Sequence, residues 1–194
     1  MCGIAGYVGK KEGLPIVLSC LQRLEYSGYD SAGALFFQKD SPRLIKTPGK
    51  LEILSKQLSQ EKSQPSLAAI GHTRWATHGL PNKINAHPHH DCRKEVFLVH
   101  NGIIENYNEL KSKLLAQGHR FISQTDTEVI AHLLEENLKR NEDFSEALKK
   151  SLKQITGAYA LAIVNKKEPE KIYFARLGSP LIVGINPDEY FLAS

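Results

Sequence analysis

The sequence predicts a layered α+β sandwich, and three observations predict it. Stretches with apolar residues at helical spacing are interleaved irregularly with apolar runs of strand length. Most of those runs are apolar on successive residues rather than alternate ones, which is the pattern of strands covered on both faces. The late part of the chain places one helix after another and then strand after strand, an order that fits stacked sheets and helices better than a doubly wound parallel sheet.

Residues 3–9 form a short, glycine-punctuated apolar run and read as a strand packed closely against a neighbour. Leu14, Val17, Leu21 and Leu24 then mark a helix. Similar stripes follow at Leu51, Leu54 and Leu58, at Tyr107, Leu110 and Leu114, at Val129, Ile130, Leu133 and Leu134, and at Phe144, Ala147, Leu148 and Leu152. Strands are expected at 32–37, 67–70, 96–99, 158–164, 172–174 and 181–183, with a last one at 190–194. The polar stretch 59–66 reads as a surface loop. No repeat or linker divides the chain, so one domain spans 1–194, and the final strand stops without a terminating signal, as if a domain continued beyond it.

Composition narrows the function classes. Hydrophobic residues make up 41% and charged residues 24% of the 194, as in ordinary globular proteins. Lys and Arg exceed Asp and Glu by only 25 to 21, spread along the chain, so no nucleic-acid footprint is expected. The apolar runs fall far short of the ~20 residues of a membrane helix, and a cytoplasmic protein is expected. Three cysteines without a CxxC pair argue against a disulfide framework. Cys20 lies on a helical apolar stripe and Cys92 in a polar loop, which leaves Cys2 to be explained.

Cys2 follows the initiator Met1, whose removal would put a thiol and a free α-amine on one residue. An α-amine titrates near pH ~7.7–8.0 and can serve as base for its own side-chain nucleophile. An incidental terminal cysteine is the plainer alternative. Asn101-Gly102, between two apolar runs, reads as a tight hairpin turn with both residues at positive φ; the same pair can also cradle an oxyanion. The stretch 71–79 carries Arg74, Trp75, Thr77 and His78 where an apolar strand runs out. Arg74 could grip a carboxylate in a bidentate fork with Thr77 and His78 as added donors; alternatively it is a solvated strand end, with Trp75 in the core. Thr125 and Glu128 fit a capping box ahead of a helix, making Asp126 either a first-turn acid or the partner of a substrate ammonium. His87, His89, His90, Asp91 and Cys92 crowd together, but their spacing matches neither HExxH nor the finger patterns, so no metal is expected. No phosphate-binding glycine loop follows a strand, and no cofactor is expected.

Taken together, Met-Cys-Gly-Ile at the start, Leu24-Glu25-Tyr26, residues 28–33, His72 to Gly79, Asn85-Ala86-His87-Pro88, His100 to Asn106 and Thr125 to Ile130 resemble the class II glutamine amidotransferases, which are N-terminal nucleophile hydrolases. Among them the likeness is to the glutaminase domains of the branch that aminates fructose 6-phosphate. The resemblance covers nearly the whole chain. It implies a four-layer αββα sandwich that hydrolyses the side-chain amide of L-glutamine through a thioester. Cys2 would be the nucleophile, its α-amine the base, and Asn101 with Gly102 the oxyanion hole. Arg74, Thr77 and His78 would bind the α-carboxylate, Gly102 and Asp126 the α-ammonium, and Trp75 would lie in a loop gating ammonia. The resemblance also implies a longer, oligomeric enzyme whose absent sugar-isomerase domains would deal with the sugar phosphate. Ser27 departs from the family pattern, which has Arg there.

Overall fold

A computed structural model describes residues 2–24, 28–39, 41–65, 67–75, 79–139 and 143–194. Ser27, Thr77 and His78, like Met1, lie outside the described residues.

The strands are β1 (Gly3–Gly9), β2 (Ser31–Gln38), β3 (Ser41–Pro48), β4 (Ala69–Arg74), β5 (His89–His90), β6 (Val96–Ile104), β7 (Gly157–Asn165), β8 (Tyr173–Leu177), β9 (Ile182–Asn186) and β10 (Glu189–Ala193). The helices are α1 (Gly13–Leu24), α2 (Leu51–Leu58), α3 (Tyr107–Ala116), α4 (Glu128–Leu138) and α5 (Phe144–Leu152). A six-stranded sheet runs β3-β2-β4-β1-β10-β9 and a four-stranded sheet runs β5-β6-β7-β8. Among the described residues, these strands pair antiparallel with one another.

The residues that form each strand also stack the layers. Ala32, Ala34 and Phe36 of β2 face α1 and α2, in a core with Leu14, Val17, Leu21, Leu51, Leu54 and Leu58. Their neighbours Leu35 and Phe37 face the other way, into a core shared with Phe97, Val99, Ala160, Ala162 and Val164 of the second sheet. On that sheet Leu98, Tyr159, Leu161 and Ile163 point outward to α3, α4 and α5. Because side chains alternate along a strand, a continuous apolar run feeds two cores at once. The result is helices, sheet, sheet and helices, the four layers that the resemblance implied. Each buried Leu, Ile or Phe side chain contributes about 1.5–3 kcal/mol.

All five expected helices form. Asp143 caps α5, its side chain accepting the Ser145 N–H. Three strand expectations and one loop expectation need correction. First, β3 was not foreseen: it is the edge strand, where Pro42 and Pro48 are tolerated and one face meets water. Second, β4 continues past Ile70 to Arg74 with all its residues buried, where His72 and Arg74 find hydrogen-bond partners inside. Third, β8 and β9 are not covered on both faces: Phe174, Leu177, Ile182 and Ile185 are exposed. Fourth, the 59–66 stretch is not wholly superficial, since Ser63 is buried and its Oγ accepts the Leu14 N–H at the start of α1.

Asn101-Gly102 is no hairpin turn. β6 runs straight through it, Asn101 opposite Ala160 and Gly102 opposite Tyr159 of β7. Gly102 has φ +137, while Asn101 is not among the positive-φ residues. A Cβ at Gly102 would collide with the Ala158 carbonyl, so glycine serves here for close strand approach. The capping box is absent as well. Thr127, not Thr125, precedes α4, without a side-chain cap. The Glu128 carboxylate instead accepts the N–H groups of Ile122 and Ser123 at 2.9 and 2.6 Å.

Candidate active site

Strand register brings the site together. β1 and β4 pair with Gly3 opposite Thr73, which leaves Cys2 beside the end of β4. There the Trp75 N–H donates to Cys2 Sγ at 3.1 Å. Burial pushes the Cys2 thiol above its ordinary value, opposed by that N–H and by the Arg74 charge. Such a thiol is protonated at neutral pH and needs a base to become a nucleophile.

From the facing sheet, Asn101 Nδ2 donates to the Cys2 carbonyl at 2.7 Å and to Ser194 Oγ at 2.8 Å. The orientation of this amide is set from behind: His72 Nε2 lies 2.9 Å from Asn101 Oδ1 and 3.2 Å from the His100 carbonyl. Both partners are acceptors, so Nε2 carries the proton and Asn101 must present its NH₂ toward Cys2. Burial drives His72 down to about 3, which keeps it a neutral donor.

Arg74 is buried, with its guanidinium donating to the carbonyls of Gly79 and Leu80 at 3.4 Å. Burial lowers its pKa, and the Cys2, Asp30 and Asp126 charges oppose that. It is therefore not a solvated strand end. Nor is Trp75 core: it is 44% exposed, its ring edge-on to Tyr29 at 5.3 Å. Asp126 is buried and accepts the Ile104 N–H at 2.8 Å, so it holds the strand beyond Gly102 rather than only serving α4.

These six residues, Cys2, Arg74, Trp75, Asn101, Gly102 and Asp126, line one cavity of about 410 Å³, within the ~300–1,000 Å³ of small-molecule sites. It offers a thiol, an amide donor, a buried cation and a buried carboxylate, the complement of an α-amino acid carrying a carbonyl side chain.

The sequence reading missed the histidines that gather at the cavity, two of which, His87 and His100, line it. His87 stacks on His72 with ring centroids 4.2 Å apart, and His89 meets His87 edge-on at 4.6 Å. The His100 N–H donates to His87 Nδ1 at 3.3 Å, which leaves the His87 proton on Nε2, 3.4 Å from Thr127 Oγ1. Thr127 Oγ1 in turn lies 2.9 Å from His100 Nδ1. Burial lowers all three of these imidazoles. Lys46 pins the loop around His87, Nζ donating to the carbonyls of Ile84 and Pro88 at 3.0 and 3.3 Å. The signal in the sequence was the crowding of His87, His89, His90, Asp91 and Cys92, which was weighed only as a metal site and set aside because its spacing fits no metal pattern. His87 and His89 form this neutral stack, while His90 Nδ1 lies 2.8 Å from the Asp91 carbonyl and Cys92 is turned toward α4.

Known proteins resemble this arrangement. A family profile described as "Glutamine amidotransferase domain" matches residues 72–194. Glutamine--fructose-6-phosphate aminotransferases [isomerizing] of Thermococcus kodakarensis and Pyrococcus horikoshii are 51% and 50% identical over the whole chain, which spans 32% of each. The chain thus corresponds to about a third of the length of these relatives. Among solved structures, glutamine phosphoribosylpyrophosphate amidotransferase of B. subtilis superposes with TM-score 0.81 at 30% identity, over 99% of this chain and 41% of that one. An allosteric regulatory enzyme of purine biosynthesis superposes with TM-score 0.84 at 32% identity, over 100% of this chain and 42% of that one. No helix among the described residues is long and apolar enough to cross a membrane.

Proposed function

The chain belongs to the class II glutamine amidotransferase family, and from that premise we propose that it is a glutaminase domain in which Cys2, freed by removal of Met1, attacks the side-chain amide of L-glutamine. The carrying observation is the Cys2 thiol held by the Trp75 N–H at a cavity whose opposite wall presents the Asn101 amide.

The thiol proton passes to the Cys2 α-amine as sulfur bonds the amide carbon. The carbonyl oxygen becomes an oxyanion, received by Asn101 Nδ2 and the Gly102 N–H. Both Asn101 Nδ2 protons are engaged within the protein, so the oxyanion takes the place of Ser194 Oγ. The carbon–nitrogen bond then breaks, the α-amine returns the proton to the departing nitrogen, and ammonia leaves. Water hydrolyses the γ-glutamyl thioester, so that glutamine and water give glutamate and ammonia. Arg74, with Thr77 and His78, holds the α-carboxylate; Asp126 and Gly102 hold the α-ammonium; Trp75, exposed beside Cys2, gates the site. In a longer protein of the kind the relatives' names describe, the ammonia would convert fructose 6-phosphate to glucosamine 6-phosphate in further domains of a cytoplasmic homo-oligomer.

The test is ammonia release from glutamine by material whose N-terminus mass spectrometry shows to be Cys2. Turnover is expected, with a trappable γ-glutamyl adduct on Cys2, and Cys2→Ala should lose at least about 10³-fold while still binding glutamine. Glutamine binding without turnover by the processed chain would instead make it a silent binding module.

A further inference from the structure

Away from the glutamine cavity, four side chains converge from three segments. Cys92 lies in the turn between β5 and β6, His119 in the connection after α3, and His132 and Glu135 one turn apart on α4. Their ligand atoms all lie within 4.8 Å of one another. His119 Nδ1 is 3.3 Å from His132 Nδ1 and 3.0 Å from Glu135 Oε2. Cys92 Sγ is 3.5 Å from His132 Nδ1 and 3.8 Å from His119 Nδ1, and His132 Nδ1 is 3.5 Å from Glu135 Oε2. A tetrahedron with metal–nitrogen and metal–oxygen bonds of ~2.0–2.1 Å and a metal–sulfur bond of ~2.3 Å has edges of about 3.3 Å between nitrogens and about 3.5 Å from nitrogen to sulfur. The five distances, 3.0–3.8 Å, lie around those edges.

The outer contacts make it more than a coincidence of spacing. His119 Nε2 lies 2.9 Å from Glu136 Oε2, and His132 Nε2 lies 3.4 Å from Glu128 Oε1. Each ring thus offers its Nε2 proton to a carboxylate and turns the Nδ1 lone pair inward, the carboxylate–histidine–metal arrangement. The Arg120 N–H donates to Cys92 Sγ at 3.3 Å, and the Cys92 N–H donates to Glu135 Oε2 at 3.2 Å. Two imidazole lone pairs, a carboxylate and a sulfur therefore face one point. His119, His132 and Glu135 are buried there, where converging lone pairs repel unless a cation lies between them.

We propose that Cys92, His119, His132 and Glu135 bind a structural zinc ion. Four protein ligands fill the tetrahedron and leave no position for a substrate or a catalytic water. The ion ties the β5–β6 turn and the α3–α4 connection to α4. Glu128 links it onward to the glutamine cavity, because the same carboxylate accepts the N–H groups of Ile122 and Ser123 just ahead of Thr125, Asp126 and Thr127. The proposal is independent of whether Cys2 is active.

The test measures zinc in the purified chain after dialysis against metal-free buffer, together with its melting temperature with and without a chelator. One zinc ion per chain is expected, and chelation should lower Tm by about 5–10 °C. Cobalt(II) added to the stripped chain should give the intense visible absorption of a tetrahedral site with a sulfur ligand, and zinc should abolish it. Cys92→Ser and His132→Gln should hold less than about a tenth of the zinc and ignore the chelator, while His90→Ala, outside the cluster, should keep both properties. Zinc-free wild-type chain that shows no cobalt spectrum, or zinc retained undiminished by both cluster variants, overturns the proposal. Should those variants fail to fold, the cobalt titration of the wild-type chain decides.

Discussion

His72 shows how a single side chain outside the reaction can govern one inside it. Its Nε2 proton is shared by two acceptors, one of them Asn101 Oδ1, and together with the accepting Cys2 carbonyl this decides which end of the Asn101 amide meets Cys2. The same reasoning bears on Arg74, whose guanidinium is buried and whose planar fork suits a carboxylate as an ammonium does not. Arg74→Lys should raise KM for glutamine about 10–100-fold while changing kcat far less, because a charge-assisted hydrogen bond contributes about 1.5–3 kcal/mol. Steady-state kinetics decide it; a fall confined to kcat would place Arg74 in the chemistry rather than on the carboxylate.

Among the elements, β6 carries the most of the site. It pairs with β7 along its full length, and its Phe97 and Val99 face the six-stranded sheet while Val96 and Leu98 face α3 to α5. Asn101 is thereby held on a strand rather than on a loop, a rigid placement for the oxyanion donor proposed above. The consequence is intolerance of a side chain at Gly102, where φ is +137 and the Ala158 carbonyl occupies the space. Gly102→Ala should destabilise the chain by about 1–3 kcal/mol and disturb the Asn101 position. Chemical denaturation measures the first and glutaminase activity the second; a variant of unchanged stability would show that the strands yield at this point.

At the scale of the molecule, the space between the sheets buries imidazoles that must stay neutral. His72 is driven to about 3, and His87, His89 and His100 are lowered too, all chiefly by burial. Unfolded histidines titrate near ~6.5. A histidine whose folded pKa is depressed contributes stability that is complete above the unfolded value and is lost as pH falls from there toward the folded value. Stability should therefore decline below about pH 6.5, by up to about 1.4 kcal/mol per pH unit for each such histidine. Denaturant midpoints between pH 7.5 and 5 check this, and a flat profile would contradict it.

The sequence by itself determined the layers and most of the cavity's chemistry. A strand's period of two sends a continuous apolar run to both faces, so runs such as 32–37 and 158–164 announced buried sheets; helical stripes announced the outer layers. Cys2, Arg74, Trp75, Asn101, Gly102 and Asp126 could be named because their residue types, brought together, suit the substrate proposed above. Their meeting at a single cavity was a tertiary matter. So were the corrections: Asn-Gly alone cannot distinguish a turn from a strand interior, and only the β7 partner decided. The histidine stack and the converging Cys92, His119, His132 and Glu135 escaped detection for the same reason. Their members are brought together by sheet stacking and by the packing of α4, and spacing along the chain carries no record of contacts made across layers.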